Sequence, residues 1–174
     1  MIGQHKRDFT VVPYQSDWKD EFEREAGRLR DALGENALRI EHIGSTSIPG
    51  MPAKAIIDMM VAVVSLERAK ELIPVLASLG YVYRPLDTVP ERMFFRKERK
   101  PDYRTHHLNL AVPDSGFWKK QLAFRDYLRA HPKMAAEYVA LKRRLAEAYA
   151  RTHELDREGK TAFVNRVLEL AEGE

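Results

Sequence analysis

Cysteine is absent from the 174 residues, which excludes disulfides and any metal site built on thiolates. No apolar run approaches the roughly 20 residues that a membrane-spanning helix requires. The opening stretch MIGQHKRDFT has no apolar core of the length a signal peptide needs, so the expected location is cytoplasmic and no membrane partner is expected. Internal repeats, low-complexity tracts and linkers are missing as well. So is a dense basic stripe. The formal net charge is only +3, and the small excess falls after residue 114. Nucleic acid is therefore not an expected partner, although a few converging cations would suit a small anionic ligand.

What is present is ordinary for a globular chain: 44% apolar and 32% charged residues. The length predicts one domain over 1–174, with 115–174 as a helical C-terminal part. Phe9 to Pro13 reads as a short edge strand, ended by a proline that cannot donate to a ladder. Ser16 or Asp17 offers an N-cap to a helix carrying Trp18, Phe22, Ala26, Leu29 and Leu33 at helical spacing. Gly34 is its stop. Leu38 to Ile43 is expected as a first central strand and Ala55 to Val63 as the next. Ser65 opens a second helix, with Pro74 inside it as a kink and Gly80 at its end. Tyr81–Tyr83, Met93–Arg96 and His106–Val112 read as three further strands, the last two joined by a charged turn, KERKPDYR. Ser115 caps a helix through Ala130, and Pro132 starts another. A last helix runs from about Asp156. This order predicts an α+β fold, a mixed sheet with helices packed on it.

The stretch IEHIGSTSIPGMPAKAIIDMMVAV organises the rest. Gly44 permits close backbone approach to an anion, consecutive N–H groups in such a turn can form an anion nest, and Ser45, Thr46 and Ser47 add hydroxyls. Turns of this composition are commonly just turns. Asp58 interrupts an apolar run, where an unpaired carboxylate is costly. Strand alternation puts Asp58 and Met60 on one face. Asp58 is thus either a metal ligand or an acid satisfied by Lys54, an arginine or a backbone N–H.

The segment EHIGSTSIPGMPAKAIIDMMV resembles the signature of the GrpB family, which belongs to the nucleotidyltransferase superfamily and shares its fold with polymerase beta. The likeness continues in WKDEFEREAGRL, RMFFRK, THHLNLAV, FRDYLRAHPKMAAEYVALKRRLA and GKTAFV, and so covers nearly the whole chain. The superfamily pattern is a Gly-Ser pair followed by a strand carrying Asp-x-Asp. Gly44, Ser45 and Asp58 match, but Met60 occupies the second acidic position, and methionine does not ligate Mg²⁺. One carboxylate can hold Mg²⁺ together with phosphates and water, but it cannot build a two-metal clamp.

His107 and Asn109 share a strand face near the place of a third superfamily carboxylate; the family pattern has a histidine at the Asn109 position. Zinc on His42, His107 and Asp58 is a rival that lacks a cysteine or a dense His motif. Lys142 and Lys160 match lysines of the family's helical region, and the resemblance implies that they reach a triphosphate. Arg92 and Arg96 share a strand face and are candidates to join them, or else they form a charged hairpin edge. The implied function is binding of a nucleoside triphosphate with Mg²⁺ at Asp58, and nucleotidyl transfer to an acceptor if the chain is an enzyme. The alternative is a non-catalytic ligand-binding or accessory domain. Members fused to dephospho-coenzyme A kinase fit that alternative.

Overall fold

The computed structural model describes all residues except Thr88, 153–156 and Glu174. Its strands are β1 (Gln4–His5), β2 (Arg39–Ile43), β3 (Ile57–Ala62), β4 (Tyr81–Tyr83), β5 (Arg92–Lys100) and β6 (Tyr103–Ala111). Its helices are α1 (Asp17–Leu33), α2 (Leu66–Ala69), α3 (Ile73–Ser78), α4 (Gly116–Ala130), α5 (Pro132–Thr152) and α6 (Arg157–Glu172). One mixed sheet runs β2-β3-β6-β5-β4, with β1 added at the start of β6. The β3–β6 pair is parallel, while β2–β3, β5–β6 and β4–β5 are antiparallel. The α+β expectation holds.

α1 forms because its apolar positions recur at helical spacing; Trp18, Phe22, Ala26, Leu29 and Leu33 are all buried. They cover one sheet face, where Ile57, Met59, Val61, Phe95, Leu108 and Leu110 point. The other face differs along its length. Near β2 it is apolar, and Ile43, Met60, Ala62 and Ala111 pack beneath Trp118 of α4. Towards the start of β3 it carries Asp58 and His107. Below α4, a third apolar cluster joins Ile48 and Met51 to Leu128, Tyr138 and Val167, tying α4, α5 and α6 to the loop before β3. Ser115 caps α4 by accepting the Trp118 N–H, as its sequence position predicts.

Several boundaries differ from the sequence reading. The Leu38–Ile43 strand lies at the sheet edge, not its centre, because among the described residues its only partner in the sheet is β3. Of Phe9–Pro13, only Val12 is paired, by an isolated bridge to Ala53. The first strand is Gln4–His5, too short to leave a periodic signal. Ser16 itself has helical φ/ψ and its side chain makes no cap bond. The Ser65 helix is broken by a 3₁₀ turn at Lys70–Leu72, and Pro74 restarts it in the first turn of α3. The charged turn narrows to Pro101-Asp102, since β5 and β6 extend to Lys100 and back from Tyr103. Asp102 takes φ 65° there, a conformation that Asp tolerates better than most residues. The expected start of the last helix, Asp156, lies outside the described residues; α6 is described from Arg157.

Candidate active site

β2 ends at Ile43, and Gly44 turns the chain with φ 71° and ψ −174° into a single 3₁₀ turn, Ser45–Ser47. The glycine is required twice over. Its φ is one that side-chain-bearing residues avoid, and an added Cβ would lie 2.6 Å from Asp58 Oδ2. Chain path alone therefore presses the turn against the carboxylate of β3. On the far side, Asp58 meets His107, its register partner on β6. His107 Nδ1 is 3.0 Å from Asp58 Oδ1. The edge of Phe94 braces the same imidazole, with centroids 5.3 Å apart.

The turn is held from behind by α4. Arg129 donates from Nε and Nη2 to the Ser47 carbonyl at 3.0 and 2.6 Å. Arg125 donates to the His42 carbonyl at 3.0 Å and to Glu41 at 2.7 Å. These two arginines escape a reading of sequence, because FRDYLRA looks like an ordinary solvated helix. Their i,i+4 spacing is the one clue that both face the same neighbour.

A cleft of about 580 Å³ opens over Asp58. Ser45, Thr46, Lys54, Asp58, His107, Lys142 and Lys160 all line it. Three elements thus bring their lysines to one place: the loop before β3, α5 and α6. Lys142 donates from Nζ to the Pro52 carbonyl at 2.8 Å and lies over the Tyr138 ring. Burial, with Lys160 nearby, lowers its pKa to about 7. Lys54 sits 3.7 Å from the centroid of Phe9, and burial, Lys160 and Arg104 lower its pKa to about 8. Asp58 is the only carboxylate among the described lining residues.

Phe9, Val11, Tyr138, Leu145, Arg157 and Thr161 also line the cleft and were not foreseen. Tyr138 and Leu145 lie four before and three after Lys142, and Arg157 lies three before Lys160, so helical spacing could have found these three. Nothing in the unpatterned N-terminal segment marks Phe9 or Val11.

Other sequence candidates lie elsewhere. His42 is on the opposite sheet face, stacked on Phe22. Its Nε2 is 2.9 Å from Thr46 Oγ1, and burial lowers its pKa to about 4, so it is a neutral brace for the turn. Ser47 is buried, and its hydroxyl donates to the Gly44 carbonyl at 2.6 Å; it stabilises the turn instead of facing the cleft. Met60 is wholly buried under Trp118. Asn109 is buried, donates to the Met59 carbonyl and accepts from Arg92. Arg96 stands opposite His107 on β5, two strands from Asp58 and so about 10 Å away along the sheet, where it binds Asp87 at 2.8 Å. Strand alternation gave the faces of Met60, Asn109 and Arg96 correctly; strand order puts Arg96 outside the cleft lining, and Met60 and Asn109 fall outside it because they lie farther along β3 and β6. Among the described residues, no group of three His, Asp or Glu gathers as a metal site, and His42 on the wrong face removes the zinc alternative.

The family profile described as GrpB protein matches residues 8–170. This chain is a member of the GrpB family. It is 32% identical to the glutamate-rich protein GrpB of Alkalihalophilus pseudofirmus, over 97% of this chain and 98% of that one. A UPF0157 protein of Bacillus subtilis, YqkA, is 35% identical over 95% of this chain, which spans only 48% of that relative. The crystal structure of GrpB from Enterococcus faecalis superposes with a TM-score of 0.82 at 38% identity, covering 93% and 96% of the two chains. A Cid1 poly(U) polymerase structure matches at TM-score 0.51 and 12% identity, covering 71% of this chain and 39% of that one. That likeness shows the nucleotidyltransferase-type fold alone. A dephospho-CoA kinase of Mycolicibacterium paratuberculosis is 31% identical over 76% of this chain and 38% of its own length. Among the described residues, no helix is long and apolar enough to cross a membrane.

Proposed function

We propose that this GrpB-family chain binds a nucleoside triphosphate in the cleft over Asp58. The observation that carries this is the convergence of Lys54, Lys142 and Lys160 on a cleft whose described lining has one carboxylate. Lys54 and Lys142 are part-buried and Lys160 is exposed; gathering like charges away from water is unfavourable without a counter-ion, and a polyphosphate supplies one. Ser45 and Lys54 would meet the phosphates from the β2–β3 side, and Lys142 and Lys160 from the helical side. Asp58, about one-third exposed, is a hard oxygen donor that suits Mg²⁺, with phosphate oxygens and water completing its shell. The bound ion would neutralise phosphate charge.

Whether transfer follows binding turns on position 60. In the superfamily pattern a second acid stands there; here Met60 is sealed in the core. That favours a second reading, a nucleotide-binding accessory domain without turnover. The kinase-named relative, in which the matched stretch is a minor part of the chain, accords with it.

Titration calorimetry with ATP, with and without Mg²⁺, tests the binding, and a pyrophosphate-release assay separates the two readings. Mg²⁺ should bind only when nucleotide is present, and Asp58→Asn should abolish that metal binding. If ATP fails to bind with Mg²⁺ present, the proposal is wrong.

A further inference from the structure

We infer that this cleft reads the polyphosphate of its ligand and not a nucleobase, an inference that rests on the triphosphate-binding proposal. Recognising a base takes either an open aromatic face on which it can stack or polar side chains aimed at its edges. Two phenyl-type rings line the cleft among the described residues, and both are already packed. Phe9 lies against Tyr149, with centroids 4.0 Å apart, and holds the Lys54 ammonium 3.7 Å from its own centroid. Tyr138 stacks on Phe163 at 5.1 Å, takes Phe124 edge-on at 5.3 Å and has the Lys142 ammonium 4.9 Å from its centroid; it is 4% exposed. The imidazole of His107 is fixed between Asp58 and Phe94.

Polar side chains in the cleft divide in a matching way. The part-buried Lys54 and Lys142 gather near Asp58 and the Ser45–Thr46 turn, where phosphates would lie, with the exposed Lys160 also on the lining. The remaining apolar lining is largely aliphatic, with Val11 and Leu145, which gives contact without a hydrogen-bond code. Arg157 and Thr161 are exposed at the rim, where water competes for any base edge. A ligand held this way gains from each phosphate and little from the identity of its base. The class is therefore polyphosphate compounds, nucleoside triphosphates of any base among them.

Titration calorimetry on the full chain, with Mg²⁺ present, should compare ATP, GTP, CTP, UTP and inorganic tripolyphosphate. We expect the four nucleotides to agree within about threefold and tripolyphosphate to fall within about tenfold of them, since the described lining offers no sheltered polar side chain beyond those assigned to the phosphates. Phe9→Ala should change ATP and tripolyphosphate affinity in the same proportion. A nucleotide preferred more than about tenfold over the other three would overturn the inference. So would tripolyphosphate that fails to bind where nucleotides do, or a Phe9→Ala loss confined to nucleotides. If none of the five binds, the triphosphate proposal itself fails and this inference goes with it.

Discussion

Lys142 and Lys54 give the binding proposal a quantitative signature. Their pKa values are about 7 and about 8 because burial and neighbouring cations disfavour the charged form. A triphosphate placed among them reverses that balance and returns both towards the ordinary 10.5. At pH 8, before binding, Lys142 is about one-tenth charged and Lys54 about half charged. Binding at that pH should take up about 0.9 proton at Lys142 and about 0.5 at Lys54, near 1.4 in all. The sign follows from linkage: a group whose bound-state pKa exceeds its free-state pKa contributes fully below the free value, and its contribution declines above it. Affinity should thus be highest below pH 7 and fall about tenfold between pH 7 and pH 8, about fivefold from Lys142 and twofold from Lys54. Calorimetry in buffers of different ionisation enthalpy measures the uptake directly. Lys142→Met should remove most of it and leave the Lys54 share. Uptake near zero at pH 8, with affinity flat from pH 7 to pH 8, would show that the phosphates do not meet these amines.

Three perturbations test the scaffold. Gly44→Ala should cost about 2–4 kcal/mol in chemical denaturation, from the φ of 71° and the clash with Asp58; wild-type stability would mean that the turn and Asp58 are not in contact. Met60→Asp places an acid in the sealed apolar cluster of Ile43, Ala62, Ala111 and Trp118, so it should lose about 3–5 kcal/mol or fail to fold. Thermal unfolding should show no recovery with Mg²⁺ and ATP, and ligand-dependent recovery would point to a latent second metal site. Arg129→Ala frees the Ser47 carbonyl and should cost about 1–3 kcal/mol, with weaker ATP binding in calorimetry through a loosened turn; unchanged stability and affinity would show that α4 does not hold the turn.

Sequence alone determined the local elements and the faces. The helical spacing of Trp18 to Leu33, the Ser115 cap and the alternation along β3 and β6 are short-range properties, set by backbone geometry within a few residues. Those same properties put Asp58 with Met60 on one face of β3 and His107 with Asn109 on one face of β6, and the family signature located the Gly44–Ser47 turn and the second acidic position at Met60; the meeting of Asp58 with His107 is set by the β3–β6 register. Strand order and helix docking are different, because they depend on which distant segments bury each other. β2 is an edge strand because among the described residues only β3 covers it. Arg96 and Asn109 share the correct face yet fall outside the cleft, since β5 and the stretch of β6 beneath α4 lie away from α5 and α6. His42 alternates to the core side and serves the turn through Thr46. Arg125 and Arg129 matter only once α4 packs behind that turn. Lys54 and Lys142 acquire depressed pKa values only because tertiary packing removes water and brings other cations close, and charge proximity across distant segments leaves no local trace in a sequence.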